Sequence, residues 1–84
     1  MTRAEALDIL KKRGLLNKKE RNAALDKLTD SRIFEVAEMS KLKARQTLEK
    51  FDAKVKANMD ADEINKIFDD ITGYRSPFNR EVTR

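Results

Sequence analysis

The chain contains no cysteine, no histidine and no tryptophan, and it has only two glycines and one proline. Without cysteine there is no disulfide framework and no thiol nucleophile, and without histidine the commonest general base and every ordinary zinc site are also missing. Gly14 and Gly73 are too few and too far apart to build a glycine-rich phosphate loop. Long hydrophobic runs are lacking as well. The opening "MTRAEALDIL" lacks the apolar run expected of a signal peptide, and nowhere do eighteen apolar residues follow one another. A cytoplasmic location is the default expectation. These absences leave carboxylate, lysine, tyrosine and hydroxyl groups for chemistry, in a chain short enough that a water-excluding pocket is an uncommon outcome. The expected activity is binding, not catalysis, with no cofactor and no metal.

What is present is helix-forming sequence. Charged residues make up 40% of the 84 and apolar residues 39%, which suits a folded helical protein. A chain of this size buries only about 60–65 per cent of its unfolded surface, so its core is small. Thr2 and Glu5 have the spacing of a capping box, Leu7 and Leu10 form a narrow apolar stripe, and Lys11, Lys12 and Arg13 precede Gly14 at a helix end. The first helix is therefore predicted over 3–13. Asn17, with Glu20 three residues on, is expected to cap a second helix over 18–29, while Leu15 and Leu16 pack inward at the joint. A third helix is predicted from 32 to 58, about 42 Å at 1.5 Å per residue, because no glycine or proline interrupts it. Phe34, Ala37, Lys41, Ala44, Leu48, Phe51, Val55 and Asn58 give it an imperfect heptad seam. Asp60 and Glu63 open a fourth helix over 61–72, whose face is Ile64, Ile67, Phe68 and Ile71 and whose stop is Gly73. The fold class is all-α, a bundle of about four helices in one domain over 1–72, followed by an irregular C-terminal tail over 73–84.

Several patterns bear on function. Residues 1–32 carry nine basic and five acidic side chains, 33–59 carry six and four, and 60–84 carry four and six, giving +4, +2 and −2. A basic face of Lys11, Lys12, Arg13, Lys18, Lys19 and Arg21 would neutralise nucleic-acid phosphates, with Lys41, Lys43 and Arg45 as an extension. Its bland counterpart is a solvated helix surface. Gly14 and Leu15 fit a helix-turn-helix, but Leu10 and Glu20 depart from it, and "AALDKL" lacks base-reading side chains. The stretch from Leu7 to Leu28 resembles the short C-terminal helical hairpins found at the ends of many bacterial proteins, although Arg21 stands where those hairpins keep an aromatic. That resemblance implies a hairpin and no chemistry. The acidic "DADEINKIFDDI" has helical periodicity and no glycine, so it is read as helix-end electrostatics and not as a calcium loop.

The tail mixes aromatics and arginines as interface hot spots do. Tyr74, Arg75, Phe78 and Arg80 are expected to dock a partner, together with Lys41 and Arg45 of the long helix. The leading functional expectation is a non-enzymatic helical protein that binds another protein as a regulator, adaptor or inhibitor, in the style of phage and mobile-element accessory proteins. A nucleic-acid binder using the front basic face is the alternative. A homodimer through the third helix would add core to so thin a molecule.

Overall fold

In a computed structural model of the chain, which describes residues 1–56 and 58–74, local signals place the first turn as expected. The Thr2 hydroxyl accepts from the Glu5 amide at 3.1 Å, and the Glu5 carboxylate accepts from the Thr2 amide at 2.8 Å, completing the capping box of α1 (Arg3–Lys12). Gly14, at φ 74°, ends this helix in a Schellman arrangement: Leu15 N–H donates to the Leu10 carbonyl and Gly14 N–H to that of Lys11. Leu15 turns inward and is buried, as the sequence predicts.

The remaining helices are α2 (Lys19–Asp26), α3 (Asp30–Glu38), α4 (Lys41–Lys54) and α5 (Ala61–Thr72). Among the described residues there are thus five helices and no strand, so the class is all-α and the expected count of four is one short. No described helix is long and apolar enough to cross a membrane. Two sequence expectations need correction. Asn17 does not cap α2; Lys18 occupies that position without a side-chain hydrogen bond. The joint is held from inside the helix instead, where Arg21 donates to the Leu15 carbonyl and Asn22 to the Leu16 carbonyl, both at 3.1 Å. The far end of α2 stops at Asp26, not 29, because the Arg3 guanidinium reaches across from α1 and donates to the carbonyls of Leu25, Asp26 and Leu28 while pairing with Asp30 at 2.8 Å. One side chain thereby donates to two of the four terminal carbonyls of α2 and to the Leu28 carbonyl just beyond them.

The second correction concerns the predicted helix over 32–58. It starts earlier, at Asp30, and it is two helices, because Met39 and Ser40 are extended. The Ser40 hydroxyl accepts from the Lys43 amide at 3.2 Å and caps α4, and Arg13 donates to the carbonyls of Ala37 and Met39 at the end of α3. With both new termini satisfied, the break has little hydrogen-bonding cost. On either side of it α3 packs on α1, while α4 packs on α5 and α2. The seam, which the sequence left open as ordinary core or as a face for a second copy, contributes to the core of the chain itself: Ala44, Leu48 and Phe51 are fully buried.

Among the described residues fourteen apolar side chains form one core cluster, with Leu10, Leu25, Ile33, Val36, Leu48, Phe51, Ile64 and Phe68 the largest that are fully buried. Phe51 and Phe68 meet edge to face with centroids 6.4 Å apart, joining α4 to α5. Truncating either to alanine should cost about 3–5 kcal/mol. α5 keeps its predicted bounds: the Asp60 carboxylate accepts from the Glu63 amide at 2.9 Å, and Gly73 closes it at φ 73°. Asn65 then ties α5 to the α2–α3 turn, accepting from the Thr29 amide and donating to the Lys27 carbonyl.

Candidate interaction surface

The surface that stands out is built by α4. Its buried edge is Ala44, Thr47, Leu48 and Phe51, a stripe at 3,4 spacing, and nine of its fourteen residues are exposed. Those nine include Lys41, Lys43, Arg45, Lys50 and Lys54, with Lys56 exposed just beyond the helix. Glu49 is the single exposed carboxylate on α4 and sits 3.8 Å from Arg45. Asp52, the other acidic residue, turns to Arg21 of α2, whose Nε donates to both carboxylate oxygens at 3.0 and 3.1 Å and whose Nη2 donates as well. That pair ties the two helices and leaves the outer face of α4 overwhelmingly positive. Lys18, 3.6 Å from Asp52, and Lys19 beside it continue the cationic surface onto the start of α2. An open cleft of about 400 Å³ lies between the two helices, where Lys18 and Lys19 flank the Arg21–Asp52 pair and Val55.

The structure divides the six residues of the expected front basic face between solvent and the interior. Lys11 and Lys12 are exposed at the end of α1, and Lys12 pairs with Asp8 at 3.1 Å. Lys18 and Lys19 face solvent near α4. Arg13 is half-buried and committed to the α3 terminus, and Arg21 is buried and neutralised by Asp52. Arginines are structural elsewhere too: Arg32 grips Asp69 with Nε–Oδ1 at 2.8 Å and Nη2–Oδ2 at 2.7 Å. Those hydrogen bonds raise the guanidinium pKa above its ordinary value against the opposing effect of burial.

Of the residues expected to dock a partner, Lys41 and Arg45 are exposed on α4. Tyr74 is half-buried against the core, edge-on to Phe68 at 6.1 Å and beneath the Arg32 guanidinium, which lies 5.2 Å from its ring centroid. Arg75, Phe78 and Arg80 lie outside the described residues. Sequence reasoning passed over Lys50, Lys54 and Lys56. Their signal was the 7,4 spacing of Lys43, Lys50 and Lys54, which places these three on one flank of a helix. The exposed large hydrophobic residues are Met1 and Leu42, at 57% and 63%, so among the described residues the surface carries isolated apolar side chains and not a broad patch. No group of three or more acidic side chains converges among the described residues as a metal site would require. Comparison of the chain with protein-family models, with curated proteins and with solved structures finds no match.

Proposed function

We propose that the protein works without catalysis, as a stoichiometric binder of an acidic macromolecule, and that the exposed face of α4 with the start of α2 is its working surface. One observation carries this reading. Lys19, Lys41, Lys43, Lys50, Lys54 and Lys56 gather on adjoining elements, and none has an ion-pair partner among the described residues. Such a surface raises the local concentration of a negatively charged partner and speeds its association, and both effects weaken as salt shortens the screening length, about 8 Å at physiological ionic strength. The clefts nearby are open, and in the one between α2 and α4 the Arg21 and Asp52 charges are already paired with each other. That arrangement suits recognition better than bond-making.

The test is capture from a host lysate with and without nuclease, comparing the wild-type chain with Lys50→Glu/Lys54→Glu. The wild type should retain a macromolecule that the double variant loses, and identical retention by the two would overturn the proposal. A second reading, a protein partner regulated or inhibited through the same face, draws support from Leu42. This side chain is 63% exposed at the start of α4 and would suit an apolar pocket within an acidic surface. On that reading Leu42→Asp abolishes a nuclease-resistant capture.

A further inference from the structure

We infer that the acidic macromolecule is a DNA duplex and that α4 enters its major groove. This rests on the reading just given and narrows it to one partner class. The argument begins with how the cations are arranged. On a helical wheel α4 carries Lys43, Lys50 and Lys54 along one flank. On the other side, beyond Asp52, stand Lys18 and Lys19 of α2, with Lys56 beside α2 where the chain leaves α4. The ridge between them is formed by Leu42, Gln46, Glu49 and Ala53, all exposed, and its one charge, Glu49, lies beside Arg45. A helix with side chains is about 10–12 Å across, and the major groove is about 12 Å wide. A helix seated there meets a phosphate wall on each side and base edges in front. Cations on both flanks and a mostly uncharged ridge match that environment; a flat acidic protein surface would not call for the division.

Single strands are a poorer fit. Sequence-tolerant binding to them relies on aromatic side chains on which bases stack. Phe51 and Phe68 are buried, and Phe34 and Tyr74 are packed against the core, so the described part of the chain exposes no aromatic platform. The ridge also has the means to touch bases. Gln46 offers an amide that suits adenine, and Leu42 and Ala53 offer apolar contact to thymine methyl groups.

The experiment is a fluorescence-anisotropy titration of the full chain against a labelled duplex of roughly 20 base pairs, about two helical turns. The corresponding single strand and heparin serve as comparison ligands. We expect the duplex to bind at least about tenfold tighter than the single strand, with log K falling against log salt at a slope of about −5, the value for six neutralised phosphates. Lys50→Gln/Lys54→Gln should flatten that slope by about 2. Ala53→Glu places a carboxylate on the ridge and should weaken duplex binding at least about tenfold, whereas Lys66→Gln, the same change in net charge on the exposed side of α5, should weaken it less than about threefold. Equal affinity for single strand and duplex, or equal effects of Ala53→Glu and Lys66→Gln, overturns groove entry and leaves the binding of an acidic macromolecule intact. Binding to heparin, or to an acidic protein through Lys50 and Lys54, without affinity for the duplex does the same. Failure to bind any polyanion overturns both.

Discussion

Replacing Asp52 with asparagine isolates the interaction that turns the outer face of α4 positive. In the native protein the Arg21 side chain is 4% exposed and its guanidinium donates to both Asp52 oxygens, with a further bond to the Leu15 carbonyl. The introduced amide would keep the volume but remove the charge, leaving a buried cation with only neutral acceptors. Breaking a fully buried pair in this way costs about 3–5 kcal/mol. Asp52 is 22% exposed and borders an open cleft, so water reaches the pair and the figure falls to about 2–3 kcal/mol. Against a total stability of roughly 4–13 kcal/mol for a chain of this length, that is a large fraction, and it should lower the thermal midpoint by roughly 10–20 °C. Far-UV circular dichroism during thermal and urea unfolding measures it. The converse variant, Arg21→Met/Asp52→Leu, removes both charges and should lie within about 1 kcal/mol of the parent, because a buried ion pair is seldom better than an apolar pair of similar size. The reasoning fails if Asp52→Asn unfolds within about 0.5 kcal/mol of the wild type, or if the double variant is as unstable as the summed single ones.

Three further outcomes follow from local structure. Ser40→Ala removes the cap that starts α4 and should cost about 1 kcal/mol, with faster hydrogen exchange at the Lys43 amide as its local signature. Gly73→Ala should also cost about 1 kcal/mol, an effect of backbone conformation since, among the described residues, no atom beyond its chain neighbours lies within 4 Å of the added Cβ, and Gly73→Asn should recover part of it. The Glu5 carboxyl is held below its ordinary pKa by hydrogen bonds from the Thr2 amide, then from the Thr2 hydroxyl, with the nearby N-terminal charge adding to both. A lowered native value means that its contribution is present above the ordinary glutamate pKa of about 4.3 and is lost as pH falls through the lower native value. Glu5→Gln keeps the acceptor without the titration, so its stability should decline less than the wild type's over that acid range; parallel pH profiles would contradict this.

The sequence legible by itself was the kind that acts within one turn of backbone. The Thr2–Glu5 box, the left-handed glycines at 14 and 73, the Asp60 cap and the apolar face of α5 all depend on neighbours three or four residues away, and each stands where its spacing placed it. The break at Ser40 was less legible, because a serine in a helical pattern becomes a cap only when tertiary packing favours the turn. Here the favourable packing is that of α3 on α1 and of α4 on α5, with Arg13 arriving from α1 to satisfy the carbonyls the break exposes.

The candidate surface divides the same way. Composition and spacing revealed an excess of cations, but not which were free to act, since Arg3, Arg13, Arg21 and Arg32 look no different in sequence from their solvent-facing neighbours. Bonds that span more than twenty residues along the chain commit all four to carbonyls and carboxylates on other helices, and the cations left in water include the lysine-rich face of α4. Local hydrogen bonding and apolar periodicity are encoded in short stretches and so are determined by the sequence alone. The division of like charges between structure and surface depends on which helices meet, and only the tertiary fold decided it.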